Sequence, residues 1–465
     1  MQNSNIPKRK IQKSEGFTDT ERFLANLCES TFLKLWSYPN PFKDDAHELC
    51  DLIAVFENEV FVFFDREKHF EFNENKEPKT LWDRWKRKVI DNQVRTAKGA
   101  ERYLRSSRKI FIDNKLEQEL PVQIDPSTAT YHKIIVAHGA AEACKNFSED
   151  NISGSLAISY STGNIDPPFP FFVSLDRSDP VHVLDTNTLP LIMQELDTIS
   201  DFSRYLRTKL EAISRYDFLT YCGEEDLLAH YLLNFDEETK TNQIGSKDES
   251  INWVTIGEGE WNDFSNLDVY ITTKKHNEVS YLWDDVIQRT SQNALDGTIR
   301  GRNPLEGKGA IHEMAKEPRF VRRALSRQMI RAIQNYPDKV EGIFRNLTFM
   351  PSFQPGKAYI FLQVTLPPSL RARSDYRQKR QAMLEVACGA AKINFPELKI
   401  IVGLLIESPK HCEDNSEDFL AFYCDTLSSD DLRYYKKRGD EFGFFKTGER
   451  VQKTVYQFVT ENSDD

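Results

Sequence analysis

Apolar and polar positions along this chain alternate between two periods. Phe23, Leu24, Leu27, Phe32, Leu33 and Leu35 recur at helical spacing. Thr18 or Asp19 opens that helix with Glu21 in its first turn, and Tyr38-Pro39-Asn40-Pro41 closes it. Two β-rich runs follow, residues 48–56 and 60–64, with Glu57-Asn58-Glu59 as a hairpin-sized gap. A second helix, rich in Lys and Arg, fits Leu81 to Leu104. A third strand fits His132 to His138, and the small residues Gly139 to Ala143 open another helix. Helix, hairpin, helix and strand make an α/β pattern of roughly 150 residues, enough for one domain.

Farther along, Pro167, Pro168 and Pro170 mark a loop, His182 to Asp185 reads as a strand, and Leu191 to Leu210 as a helix. Residues 236–250 are polar and read as an exposed linker. The remainder is a further α/β or α+β region. It has a basic helix at 317–335, strands at 358–366 and 399–406, and a helix at 374–392. The expected division is a disordered basic segment 1–16, a domain 17–160, a connecting region 161–235, and a C-terminal domain 251–460 for nucleic-acid or partner binding.

Composition narrows the class. At 465 residues the chain exceeds one ordinary core. No stretch has the roughly 18 apolar residues of a membrane span, and the start lacks the apolar centre of a signal peptide. Seven scattered cysteines without CxxC spacing suit a reducing compartment, so a cytoplasmic protein without a membrane partner is expected. His411 and Cys412 with Cys388 and Cys424 lack zinc-site spacing, and Gly297, Gly301, Gly307 and Gly309 precede no Gly-Lys-Ser/Thr. The net charge of −11 argues against a protein coated in nucleic acid, yet basic residues are concentrated. On the second helix Arg84, Lys88, Arg95, Lys98 and Arg102 fall roughly along one side, and Arg319, Arg322, Arg323 and Arg327 make a second stripe. Both are candidate phosphate contacts. A third basic set, Arg371, Arg373, Arg377, Lys379 and Arg380, follows Pro367-Pro368.

Candidate chemistry sits on the hairpin. Asp51 lies at its first strand, and the second ends in Phe64-Asp65-Arg66-Glu67-Lys68. Acids at the ends of two paired apolar strands suit hard oxygen ligation of Mg²⁺, with Mn²⁺ as a substitute. A metal so held lowers the pKa of its bound water and offsets charge on a phosphodiester. Glu29, on the preceding helix, is a further acid for the cluster. His138, ending an apolar strand, reads as a core histidine ahead of a catalytic one.

This order of elements resembles the PD-(D/E)XK restriction-endonuclease-like superfamily, with Asp51 as the acid of the first motif strand, the triplet within Phe64 to Lys68, and Glu29 as the helix acid. Residues Leu27 to Phe42, with Glu48 to Asp51, are similar to a family of largely uncharacterised bacterial proteins. Trp82 to Trp85, Gly99 to Arg102, Val181 to Asp185 and Glu195 to Asp201 fit the same family, which is associated with anti-phage defence loci. The resemblance implies a Mg²⁺-dependent DNA endonuclease, with RNA as an alternative substrate. It also implies a homo-oligomer or a complex with a companion defence protein. The sequence departs from the pattern at the triplet. Read as Asp65-Arg66-Glu67, the expected Lys is a carboxylate; read as Phe64-Asp65-Arg66, an aromatic ring replaces the acid. The favoured ligands are Asp51, Asp65 and Glu67, with Arg66 or Lys68 as the cation beside them. The alternative is a catalytically degenerate nuclease-fold subunit that senses nucleic acid or serves in an assembly.

Overall fold

The computed structural model describes residues 11–73, 75–147, 153–163, 167–295, 304–412, 417–446 and 456–459, with backbone alone at 293–295 and 304–308. The basic start, the glycines at 297 and 301 and the acidic tail lie outside the described residues. The chain divides into two compact units, one of residues 11–267 and the other beginning at Asp268. The division therefore falls neither near residue 160 nor in the polar stretch 236–250, because a second sheet completes the first unit.

The first unit opens with α1 (Asp19–Phe32), whose Thr18 side chain accepts from the Glu21 amide as an N-cap. Residues 11–16 belong to the folded unit, against the expected disorder to residue 16. Lys13 Nζ donates to the Ser37 carbonyl at 2.8 Å, and Ser14 Oγ to Asn40 Oδ1 at 2.8 Å. Next come β1 (Ser37–Pro39), β2 (Phe42–Lys43), β3 (Leu52–Phe56) and β4 (Glu59–Glu67). Then follow α2 (Pro78–Lys86), a π turn (Arg87–Asp91), α3 (Asn92–Arg105), β5 (Ile110–Phe111) and β6 (Thr130–His138). After α4 (Ala141–Phe147) the chain forms β7 (Ala157–Ser161), β8 (Phe172–Asp176), β9 (His182–Asp185), α5 (Thr188–Glu195) and α6 (Ile199–Arg215). It ends with β10 (Phe218–Tyr221), α7 (Glu224–Leu233), the short β11 (Phe235–Asp236) and β12 (Thr241–Asn242), β13 (Trp253–Ile256) and α8 (Glu260–Ser265).

The main sheet runs β1-β3-β4-β6-β9. β1, β3 and β4 pair antiparallel, while β4, β6 and β9 are parallel. Strands β3 and β4 are buried almost throughout because helices cover both faces. On one face Phe32 of α1 and Phe202 of α6 pack on Phe61, with ring centroids 5.0 and 5.5 Å apart. On the other lie Trp82 and Trp85 of α2, buried and stacked at 5.2 Å, with Ala97, Ala100 and Leu104 of α3. The sequence suggests one continuous helix there, but the π turn widens it by about one residue. That rotates Arg95, Lys98 and Arg102 by roughly 100° from Arg84 and Lys88, so the single basic stripe splits in two. A second sheet runs β13-β10-β7-β8.

The second unit contains α9 (Asp268–Asn277), α10 (Tyr281–Leu295), α11 (Pro304–Ala315) and α12 (Arg319–Gln334). Beyond them lie β14 (Phe344–Pro351), β15 (Lys357–Thr365), α13 (Pro368–Arg371), α14 (Tyr376–Asn394), β16 (Ile400–Glu407), β17 (Asp418–Tyr423) and α15 (Ser429–Phe442). Its sheet runs β14-β15-β16-β17, with β15 and β16 parallel and α14 as their crossover. Both units are thus mixed α/β. Among the described residues, no helix is long and apolar enough to cross a membrane.

Candidate functional site: the acidic edge of the main sheet

β4, β6 and β9 all end on one edge of the main sheet, where β3 begins. The carboxyl ends of parallel strands are the usual ligand edge of an α/β sheet, because the connections diverge there. Asp51, Asp65 and His138 all stand at this edge.

Register alone would put Asp51 opposite Phe64, on the face away from Asp65. Asp51, however, precedes the regular part of β3. Its backbone amide bonds the Phe63 carbonyl at 3.1 Å, and its Oδ2 accepts from the Asp65 amide at 2.5 Å. The carboxylate thus takes the place of a ladder carbonyl at the end of the hairpin and lies against Asp65. Burial pushes the Asp51 carboxyl up to about 7, and the neighbouring Glu48, Glu21 and Asp65 charges add to the rise.

Asp65 lies deeper, its side chain only 1% exposed. Its Oδ1 is 3.0 Å from His138 Nε2, but the two are out of line for a hydrogen bond. Neither Asp65 oxygen nor Nε2 has a hydrogen-bond partner. His138 Nδ1 is 3.2 Å from Thr186 Oγ1. A buried carboxylate with no hydrogen bond is costly and calls for a compensating group.

The other expected residues go elsewhere. β4 emerges from cover after Asp65, so Arg66, Glu67 and Lys68 are exposed, and Arg66 points to the face opposite Asp65. Glu67 shares the Asp65 face, in register with His138. Glu29 is replaced in the cluster by Glu21. Glu29 sits at the far end of α1, 3.4 Å from Lys34, whereas Glu21 is in the first turn. Asn40, fully buried, ties the first-turn acid to the hairpin. Its Nδ2 donates to Glu21 Oε2 at 2.9 Å and Glu48 Oε1 at 2.8 Å, and its amide bonds the Asp51 carbonyl at 2.8 Å. The sequence signal for Asn40 is an Asn between two prolines; its φ of 48° is a value Asn tolerates better than most residues.

A hard cation suits part of this arrangement. The Asp51 carboxylate holds the Asp65 amide and the Asp65 oxygens have no hydrogen bond, but the expected trio with Glu67 does not assemble. Among the described residues, no group of three or more His, Cys, Asp or Glu side chains is placed to hold a metal ion.

Basic residues flank the edge. Trp85 Nε1 donates to the Lys68 carbonyl at 2.6 Å, fixing α2 beside the end of β4. Lys68 is close enough to Lys88 to lower the ammonium's pKa. Arg84, Arg95 and Arg102 are exposed, while Lys98 pairs with Asp179 at 2.9 Å. The stripe expected on α12 does not form as a surface. Arg319 and Arg322 pair with Asp284 at 2.6 and 2.5 Å, and Arg323 bonds Asn277 Oδ1 at 2.8 Å; all three are buried. Arg327 of the same helix is half-buried. In the third basic set Arg371 pairs with Glu407 and Arg380 with Asp418, at 3.0 and 2.7 Å. Acids far away in sequence neutralise Arg319, Arg322, Arg371 and Arg380, whereas Arg373 and Lys379 stay exposed and pair with the nearby Asp375.

Compared with known proteins, the chain matches no family model, no curated protein and no solved structure.

Proposed function

We propose that residues 11–267 carry a DNA-cleaving site of the restriction-endonuclease-like kind, in which Asp51 and Asp65 hold Mg²⁺ and the chain hydrolyses phosphodiesters. The observation that carries this reading is the acid pair itself. Two largely buried carboxylates stand at the ligand edge of the sheet, Asp51 bonded to the Asp65 amide and pushed up to about 7, and Asp65 without a hydrogen bond to its oxygens. Two carboxylates suffice for Mg²⁺, which keeps several waters and takes further oxygens from the substrate phosphate. When bound, such an ion supplies a more acidic water and offsets charge on the phosphate. The chain's own part is to place the acids, and Asn40 does so by anchoring the Asp51 backbone. Lys68 and Lys88, close together beside the acids, suit a phosphate oxygen; Arg84, Arg95 and Arg102 suit the strand leading away from it. The order of helix, antiparallel hairpin, helix and parallel strand supports the same reading, as does the position of Asp51 and Asp65 on that hairpin. A role in anti-phage defence, with self-association or a companion protein, belongs to this proposal through the family resemblance.

The test is incubation of plasmid and linear DNA with the protein in Mg²⁺, in EDTA, and with Asp51→Asn, beside an RNA digestion. Cleavage in Mg²⁺ alone supports the proposal. A second reading, a nuclease-fold subunit that binds nucleic acid without cutting it, is favoured by the exposed Glu67 and by the missing third ligand. DNA binding without cleavage under every condition decides for that one.

A further inference from the structure

We propose that the cation site at this edge has a nitrogen ligand. Asp65 and His138 together form a mixed oxygen–nitrogen site that takes a first-row divalent transition ion in preference to Mg²⁺. This rests on the reading that the edge holds a divalent cation. It adds a ligand that the acid pattern does not contain, and it changes the class of ion.

Three atoms argue for it. Asp65 Oδ1, Asp65 Oδ2 and His138 Nε2 are all buried, and none has a hydrogen bond. Register brings them together: Asp65 pairs with Val136, so His138 is the diagonal neighbour on the same face of the next parallel strand. The 3.0 Å between Oδ1 and Nε2 is a ligand spacing. Two donors about 2.1 Å from one ion, at right angles, are about 3.0 Å apart.

The far side of the ring is already fixed. Nδ1 faces Thr186 Oγ1 at 3.2 Å, just beyond the end of β9. An imidazole that donates from Nδ1 leaves Nε2 with a lone pair beside Asp65 Oδ1, aimed off the line that joins the two atoms. A metal ion at the apex, off that line, would meet both atoms, and an outer partner on the second nitrogen is the usual support of a metal-bound histidine. The competing occupant of the gap is a proton shared by the ring and the carboxylate. Imidazole nitrogen is a poor ligand for Mg²⁺, a better one for Mn²⁺ and a good one for Co²⁺ or Zn²⁺. Asp51, held by the Asp65 amide, is not a third ligand of this pair, and water or substrate oxygens would complete the shell.

The experiment uses the full chain, stripped with EDTA and desalted. Mn²⁺ and Mg²⁺ are titrated calorimetrically, and bound Mn²⁺ is examined by electron spin-echo modulation, which detects a directly coordinated ¹⁴N. The variants are His138→Gln, Asp65→Asn and Thr186→Val, with circular dichroism as the folding control. The expected result is one Mn²⁺ bound at least tenfold more tightly than Mg²⁺, with nitrogen modulation. His138→Gln removes the modulation and the preference, Asp65→Asn removes binding, and Thr186→Val weakens it severalfold. Mn²⁺ binding without nitrogen modulation, or unchanged in His138→Gln, overturns the nitrogen ligand and leaves the acid pair standing. Failure of the wild-type chain to bind either ion overturns the cation site and this inference together. Should His138→Gln not fold, the modulation of the wild-type chain decides alone.

Discussion

Glu225 shows how far a single side chain in this fold departs from solution behaviour. It is 4% exposed in the first turn of α7, receives the Ser155 hydroxyl at 2.6 Å, and has a second oxygen without a partner. Burial and the nearby Asp185 charge push its carboxyl up to about 8. A carboxyl whose pKa is higher folded than unfolded stabilises the fold fully below its unfolded pKa, near 4.3. That contribution is lost as pH rises through the folded value. Urea unfolding of the wild-type chain should therefore show a loss of roughly a few kcal/mol between pH 5 and pH 9 from Glu225 and Asp185, whose carboxyls are both raised and titrate together. Glu225→Gln should flatten that part of the profile; a profile as steep as wild type would place the titrating group elsewhere. At the same scale, the position of Asp51 beside the Asp65 end of β4 was legible in the sequence because a hairpin must bring its ends together. Glu29 was misjudged because eight residues of helix, about 12 Å, separate it from Glu21, and the sequence does not say which end of α1 meets the hairpin. His138 read as a core residue because apolar neighbours surround it; the Asp65 contact depends on strand order.

Elements explain what charge patterns alone conceal. The junction of β6 and α4 turns at Gly139, with φ of 102°, where an added Cβ would lie 2.3 Å from the Lys68 carbonyl oxygen. The Lys68 amide bonds the His138 carbonyl at 3.1 Å, so the two strand ends cannot separate cheaply. Gly139→Ala should cost at least 2 kcal/mol by urea unfolding. It should also disturb the acidic edge more than a surface Gly→Ala would. On α12, Arg322 is fully buried. It bonds Asp284, the Glu317 carbonyl and the Ala315 carbonyl. Arg322→Ala should cost roughly 3–5 kcal/mol, because it empties a buried site, removes one of the two arginines on Asp284 and takes the donor from two carbonyls. Arg84→Ala and Lys88→Ala, on the exposed side of α2 and the π turn, should change stability by less than about 0.5 kcal/mol. They should lower DNA affinity and flatten its salt dependence. Equal stability losses at Arg322 and Arg84 would contradict this assignment. The first helix, the hairpin β3–β4, the basic helical stretch and β6 were legible from apolar periodicity, while the short β1, β2 and β5 were not. The π turn was not, because local residue choice does not mark the one-residue insertion.

At the scale of the whole molecule, the first unit is larger than the sequence suggests. Residues 161–235 read as a connecting region and 236–250 as a linker, yet β7, β8, β10 and β13 form a sheet within residues 11–267. Short strands paired out of sequence order leave little local signal. Residues 11–267, produced alone, should therefore unfold cooperatively, whereas residues 11–160 should not. Circular dichroism melts of the two fragments test this, and a cooperative melt of the shorter piece would restore the boundary near residue 160. The central claim is that Asp51 and Asp65 serve phosphodiester hydrolysis. Single-turnover cleavage of an end-labelled DNA duplex by the full chain, with Mg²⁺ or Mn²⁺ and with EDTA, tests it most directly when run beside Asp51→Asn and Asp65→Asn. The account predicts metal-dependent cutting that falls at least 100-fold in both variants while duplex binding is kept. Cutting that survives in the variants or in EDTA, or no cutting by a chain that still binds the duplex, would contradict it.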